Sequence, residues 1–311
     1  MHAEAQVALD FQRYLLAKRT VDDRAMNGRV WEAFAAWLGA RPGQARAELL
    51  EIGAGVGTML ERLVERGVLA WGAYTALDAD PGNTLRAEER LGSWAGARGA
   101  IVREEGPHQQ RIIGARMDLQ ASFVTGEALQ YARLHADRQT WDALLAHAFL
   151  DLVDLSRALP ALAPLIRPAG VMYSTLNFDG DTIFQPDIDA ALEQPILAAY
   201  HRTMDERRVD GQPSGDARTG RHLFGELAAA GFELLEAGAS DWVVFPRHGV
   251  YPADETYFLQ FIVSTVVQAV TGHVDVPQES LEQWASVRMR QIDRGELVYI
   301  AHQMDFLARV R

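Results

Sequence analysis

With 311 residues, 48% of them hydrophobic and 23% charged, the chain has an ordinary globular composition with material for a large core. A formal charge of −12 and a pI near 5.2 argue against DNA or tRNA as a partner, because a polyanion wants a basic face. Cysteine is absent, which excludes disulfides, thiolate nucleophiles and Cys-ligated zinc or iron–sulfur sites.

Met1 to Glu4 carries an early acid and no apolar run, so no secretory signal is read there. The longest apolar stretch, Phe258 to Val270, is too short to span a bilayer and contains Gln260, Ser264 and Gln268. The expected address is the cytoplasm, with no membrane or nucleic-acid partner. Lys18 is the only lysine, against 29 arginines, which singles out its ammonium group.

Residues 4–18 and 23–38 read as two amphipathic helices, the second with Val30, Phe34 and Leu38 at four-residue spacing. Between them lies the charge cluster Lys18 to Arg24, with Thr20 or Asp22 as a cap candidate. Gly39 to Gly43, with Pro42, closes this segment. A different rhythm starts at Ala47. Leu49 to Ile52 is a short apolar strand that runs into Gly53-Ala54-Gly55-Val56-Gly57, and a helix follows from Thr58 to Arg66. Ala73 to Leu77 is a second strand, ending at Asp78, with Pro81 opening the next helix. Residues 93–117, rich in Gly and Arg, read as a loop or irregular insertion. Leu119 to Val124 is a third strand ending at Gly126-Glu127, and Asp142 to Ala146 a fourth, followed by His147. Gly170 to Leu176 is a fifth. Residues 177–219 carry many Asp, Gly, Pro and Arg residues around one helix at 187–208. A helix over 223–230, a strand within 232–245, helices near 253–271 and 278–293, and a last strand from Leu297 to Ala301 complete the chain. Strands alternating with helices at this spacing predict an α/β fold with a largely parallel, doubly wound sheet.

The glycine segment sits between a strand and a helix, where glycines permit a tight turn and close approach of a ligand to the main chain. Asp78, 21 residues beyond Gly57 at the end of the second strand, can accept hydrogen bonds from both hydroxyls of a ribose. Glu127 ends the third strand, positioned for an adenine edge. A nicotinamide fingerprint requires G-x-G-x-x-G/A, whereas this spacing is G-x-G-x-G with Thr58 at the third fingerprint position. Glu51 would also repel a diphosphate but tolerates a cationic ligand.

Across residues 47–180 and the terminal strand, these residues resemble the class I S-adenosylmethionine (SAM)-dependent methyltransferases. The resemblance implies a seven-stranded sheet in the order 3-2-1-4-5-7-6 with the last strand antiparallel. It implies SAM as cofactor: Gly53, Ala54, Gly55 and Gly57 lining its methionine and ribose part, Glu51 near the amino group, Asp78 and Ala79 at the ribose, Glu127 and Ala128 at the adenine, and Ala146 and His147 near the methionine end. N-terminal helices commonly cap the site in this family, so Lys18 and Arg24 are candidates to neutralise the methionine carboxylate.

Methyl transfer requires an acceptor held in line, exclusion of water and, for some acceptors, removal of a proton. His147 is the candidate general base, set against a role in shaping the pocket. Residues 177–222 read as a substrate lid over the carboxyl ends of the strands, with Tyr200, His201 and Asp205 as candidate substrate contacts beside Arg207 and Arg208. Asp151, Asn177 and Asp179 supply oxygen atoms of the kind Mg²⁺ takes, but Asp after a strand is also an ordinary cap, and no metal is expected. Trp141, Phe178, Trp242 and Tyr251 are candidates for an aromatic wall, or for core. The expected organisation is a helical cap over 1–43, a SAM-binding core over 44–176, the lid over 177–222, and a C-terminal part of the core over 223–311 with a helical insertion at 253–293. The expected activity is methyl transfer to an O or N atom of a small molecule, the alternatives being a SAM-binding regulator without turnover or a protein methyltransferase. The late helices are also a candidate homodimer surface.

Overall fold

The computed structural model describes residues 10–41, 46–136 and 138–311. The expected turn at Pro42 and Gly43, and the start of the first expected helix, lie outside them. Three short helices come first: α1 (Phe11–Ala17), α2 (Arg19–Ala25) and α3 (Gly28–Gly39). Asp10 and Asn27 accept hydrogen bonds from first-turn amides of α1 and α3, which end the preceding chain and start each helix. Val30, Phe34 and Leu38 form the buried stripe of α3. The charge cluster expected between two helices is itself the helix α2. It folds that way because Asp22 turns inward, one turn beyond the buried Lys18, and is neutralised there.

The alternating part follows: β1 (Ala47–Ile52), α4 (Thr58–Glu65), β2 (Trp71–Asp78), α5 (Pro81–Ala97), β3 (Ile101–Gly106), β4 (Gln109–Gly114), β5 (Met117–Thr125), α6 (Ala128–His135), β6 (Trp141–His147), α7 (Leu155–Leu162) and β7 (Ile166–Gln185). Then come α8 (Ala190–Asp205), a small hairpin of β8 (Arg208–Val209) and β9 (Gln212–Pro213), α9 (Thr219–Ala229), β10 (Phe232–Ala239), β11 (Trp242–Val244), α10 (Glu255–Val270), α11 (Gln278–Asp293) and β12 (Val298–Val310).

The main sheet is mixed and ten-stranded, in the order β10-β12-β7-β6-β1-β2-β5-β4-β3, with β11 beside β12. β5, β2, β1, β6 and β7 are parallel neighbours, while β12 runs antiparallel to β7, β10 and β11. The expected seven-stranded sheet and its order are therefore corrected. The segment read as a loop over 93–117 instead finishes α5 and builds the antiparallel hairpin β3–β4 on the edge of β5. Its pattern is hard to read because only one face is covered: Gln110 and Ile112 are buried while charged neighbours face water. A second correction concerns length. β7 continues to Gln185, well past the expected end at Leu176, because β12 pairs with it from Arg309↔Val171 to Val298↔Gln185.

Leu49 and Leu50 are neighbours in β1, both fully buried, and belong to opposite cores. Side chains alternate across a strand, so a strand covered on both faces reads as an unbroken apolar run. On one face lie α6, α7 and α9, through Ala132, Leu159 and Leu223. On the other lie α3, α4 and α5, and beyond them α8, α10 and α11, through Phe34, Leu60, Leu91, Ile196, Phe258 and Trp284. The parallel strands all end on one side, where ligands bind in open α/β sheets. There the loops after β1, β2 and β6 meet α1.

Candidate active site

Gly53, Gly55 and Gly57 follow β1 with φ of +64°, +53° and +79°, a left-handed run that L residues adopt at a cost. Ala54 N donates to Leu77 O at 3.0 Å, tying the turn to β2. A Cβ on Gly53 would collide with the Phe149 ring, and one on Gly55 would stand 3.1 Å from Leu15 of α1. The turn is thus gripped from two sides. Asp78 braces it: its carboxylate accepts from Gly55 N at 2.7 Å, Asp80 N at 2.9 Å and Asn83 Nδ2 at 3.2 Å. Glu51 is buried at the end of β1 and accepts from Tyr74 Oη at 2.6 Å. Burial pushes its carboxyl up to about 8, the Tyr74 hydrogen bond and Arg62 offsetting only part. Beside the turn is a cavity of about 300 Å³, with Glu51, Gly53 to Val56, Asp78 to Asp80, Asn83, His147 to Phe149, Leu15 and Lys18 in its walls.

Behind this cavity is a buried cluster of charges centred on Asp22. Its carboxylate is 3.2 Å from Lys18 Nζ, 3.1 Å from His147 Nε2, 3.4 Å from Arg62 Nη2, and accepts from Trp242 Nε1 at 3.0 Å. Burial alone would raise the Asp22 carboxyl, but Lys18, His147 and Arg62 outweigh it and hold the group below the usual carboxylate range. Arg62 is itself fully buried and donates to Asp23 at 2.5 Å and to Thr58 Oγ1 at 3.0 Å. His147 is lowered to about 4, chiefly by burial, and is neutral at pH 7. With Asp22 ionised, the tautomer assigned to it carries its proton on Nε2 and accepts at Nδ1 from Thr175 Oγ1, 2.7 Å away. Both ring nitrogens are then committed within the protein.

A second cavity, of about 520 Å³, adjoins the first. Its walls are rings: Phe11 and Tyr14 from α1, Phe178 from β7, Tyr200 from α8, Trp242 from β11, Phe261 from α10 and Tyr299 from β12. Tyr14 stacks on Phe261 with centroids 4.0 Å apart. Phe11, Leu15, Lys18, Ala148 and Leu152 line both cavities, so α1 and the turn after His147 form a shared partition.

The remaining expected residues scatter. Arg24, 38% exposed, lines neither cavity and makes a two-pronged pair with the buried Glu255 at 2.6 and 2.9 Å. Glu127 caps α6, accepting from Leu129 N and Gln130 N, and Ala128 is buried in the core on that side of the sheet. Ala146 is buried within β6, paired to Ile52 and Ser174. Tyr200 and Arg207 line the ring-walled cavity, but His201 is hydrogen-bonded to Thr182 and leans on Phe178 from outside its lining. Asp205 accepts from Ala217 N and faces a separate surface cleft, and Arg208 is exposed on β8. Trp141 and Tyr251 lie in the cores and Tyr251 donates to Leu297 O, so neither joins the wall. Asp151 lines the second cavity, while Asn177 donates to Met304 O and Asp179 is engaged by Arg221. Among the described residues, no three or more His, Cys, Asp or Glu side chains group as metal ligands would.

Sequence reasoning missed Asp22 and Arg62 as site residues, and Leu15 and Phe149 as the clamp on the glycine turn. Lys18 and Asp22 at i, i+4 was the one available signal. Arg62 lay in an amphipathic helix and looked like any surface arginine.

No protein-family profile and no curated protein matches the chain. Among solved structures it is similar to phosphoethanolamine N-methyltransferase 2 of Haemonchus contortus in complex with SAM (12% identity over 96% of this chain and 57% of that one, TM-score 0.45). It is also similar to a SAM-dependent methyltransferase from Methanosarcina mazei (14% identity, 85% and 92% covered, TM-score 0.43) and to the cyclopropane synthase MmaA2 of Mycobacterium tuberculosis (10% identity, 98% and 100% covered, TM-score 0.42).

Proposed function

We propose that the protein is a SAM-dependent methyltransferase acting on an O or N atom of a small molecule. One observation carries this reading: a glycine-turn cavity walled by strand-end acids shares a partition with a cavity walled by rings. A ligand lying along the turn has one end at that partition, and a second molecule in the ring-walled cavity meets it there.

The residues of the first cavity fit SAM. Gly53 and Gly55 keep the turn close against Phe149 and Leu15 and leave its main chain bare along the cavity wall, and Asp78 retains acceptor capacity for ribose hydroxyls beyond the hydrogen bonds it already takes. Glu51 suits a ligand that carries an ammonium and a sulfonium, and two acids beside a diphosphate disfavour a nicotinamide cofactor. Bound SAM supplies a methyl group on a positively charged sulfur. The chain's own contribution is to orient and to exclude water. Lys18 faces both cavities and, with N–H groups left beyond its pair with Asp22, is the candidate partner for the methionine carboxylate. His147, with both nitrogens committed, holds Asp22 and the partition in place and is not the base. Helices α1 to α3 act as the cap, and α8 with the β8–β9 hairpin as the lid.

The acidic chain favours a small-molecule acceptor over nucleic acid. No helix among the described residues is long and apolar enough to cross a membrane, and a cytoplasmic address and homodimerisation through α10 and α11 belong to this proposal. Calorimetric titration with SAM and with its demethylated product tests cofactor binding, and absence of heat for both overturns the reading. Transfer of tritiated methyl from SAM into a metabolite extract then separates the outcomes. A small labelled product supports the proposal, a labelled polypeptide indicates a protein methyltransferase, and binding without product indicates a regulator.

A further inference from the structure

The ring-walled cavity holds an acid, one of whose carboxylate oxygens no described residue answers. Asp151 stands in its wall, one residue before Leu152 of the partition, on the short turn that follows His147. Its Oδ1 is buried and has no hydrogen-bond partner among the described residues. The main chain there is held from outside, with Asp216 N donating to Asp151 O at 3.3 Å, so the side chain is presented by a fixed turn. The charged and titratable groups that face it are Lys18 and Tyr14 from the α1 side, Tyr200 of α8, Arg207 just after α8, and Asp216 before α9. Lys18 is paired with Asp22 at 3.2 Å, Arg207 is exposed, Asp216 has the same sign as Asp151, and neither phenol hydrogen-bonds to the Asp151 Oδ1. The wall therefore carries a carboxylate oxygen buried without a donor, in a cavity lined by aromatic rings.

A carboxylate oxygen buried without a donor is costly, and a ligand that brings the donor recovers that cost. An anion would meet like charge, and a plain hydrocarbon would leave the acid unsatisfied. A protonated amine satisfies it with a charge-assisted hydrogen bond, and the aromatic lining suits an apolar body attached to that amine. The cavity, at about 520 Å³, accommodates one ring-bearing molecule of modest size. We infer that the second cavity binds an apolar, ring-bearing amine, with Asp151 accepting a hydrogen bond from the ammonium and the rings enclosing the apolar body. This deepens the proposed function and rests on it in one respect only: that the amine held at the partition is the methyl acceptor.

Burial raises the Asp151 carboxyl to about 6, with its own main-chain amide, Lys18 and Arg207 offsetting part of the shift. Amine binding then strengthens as pH rises through 6 and levels off above it, while the amine itself stays protonated to about pH 9.

The test titrates the purified full chain with 2-phenylethylamine and with its neutral counterpart 2-phenylethanol, at pH 5 and pH 7.5. The expected result is that the amine binds at least tenfold tighter than the alcohol at pH 7.5, and that the preference shrinks at pH 5. In Asp151→Asn the preference disappears at both pH values, while thermal melting and the SAM titration of the variant show an intact fold. Equal affinity for amine and alcohol, no binding of the amine, or a preference that survives in Asp151→Asn would each overturn the inference. SAM is titrated separately into the same sample. Heat with SAM but no amine preference defeats this inference and leaves the proposed function standing, and an amine preference without SAM binding does the reverse.

Discussion

The two cavities on either side of the partition are built in opposite ways. The glycine-turn cavity is made of chain that is local to strand ends: Glu51 closes β1, Gly53 to Gly57 follow it, Asp78 closes β2 and His147 closes β6. Its chemistry is main-chain amides and acids. The ring-walled cavity draws between one and four side chains from each of α1, β7, α8, β11, α10 and β12, which span the chain from Phe11 to Gln303. Its chemistry is apolar surface around a single unanswered acid. The difference teaches that a site which must grip a common ligand is encoded in contiguous motifs, whereas a site that selects an individual one is assembled from distant elements whose loops are free to vary.

The strongest test of this division is Asp22→Asn, because Asp22 is the joint between the halves. The change leaves Lys18 and Arg62 buried beside a neutral amide, and loss of one member of a buried charge cluster costs about 3–5 kcal/mol. Thermal denaturation should show that loss, with binding weakened in both cavities. An effect confined to one cavity would mean the partition is not shared. Next in size is Asp78→Ala, which removes the acceptor for ribose and the brace on Gly55. A charge-assisted hydrogen bond is worth about 1.5–3 kcal/mol, so SAM should bind roughly 10–100-fold more weakly while 2-phenylethylamine affinity is unchanged. Gly53→Ala forces an L residue to a φ of +64° and drives a Cβ against Phe149. Strain of this kind costs about 1–3 kcal/mol, seen as a lowered melting temperature together with weaker SAM binding.

A smaller effect comes from pH. With its carboxyl raised to about 8, Glu51 is protonated in the free protein at pH 7, and a cationic ligand favours its ionised form. SAM binding should therefore release a proton and tighten by up to about tenfold from pH 6 to pH 9, a trend abolished in Glu51→Gln. The same raised value means that the stability contributed by neutral Glu51 is full below about pH 4.5 and is lost as pH rises through 8, so the Gln variant should melt higher than the wild type at pH 9. Heat signals in buffers of different ionisation enthalpy would reveal the proton. Last, Arg24→Met should leave SAM affinity unchanged, because Arg24 is spent on Glu255, and should lower stability by leaving that buried acid without its counter-charge and with only the Thr20 hydroxyl as donor. Weaker SAM binding in this variant would bring α2 back into the cofactor site.

Much of the first cavity was legible in the amino-acid sequence. The G-x-G-x-G spacing after an apolar strand, and an acid closing the next strand, carry their geometry with them, since only glycine takes such backbone angles cheaply and strand ends in a parallel sheet share one side. Glu127 shows the limit of that logic. It ends β5 as expected, yet its side chain caps α6, because an acid just before a helix has free amides to satisfy. The hairpin β3–β4 was not legible, since an edge with one covered face has no continuous apolar run. His147 was found in the right place but with its nitrogens already committed to Thr175 and Asp22, partners 28 and 125 residues away.

The amino-acid sequence by itself determined the alternation of strands and helices, the glycine turn and the acids Glu51 and Asp78, because these depend on local backbone preference and on period. Only the tertiary structure decided that Asp22, Arg62 and His147 form one buried charge cluster, that α1 closes over the glycine turn, and that seven rings from six elements line one cavity with Asp151. Burial and charge pairing depend on which elements pack together, and no spacing along the chain records that.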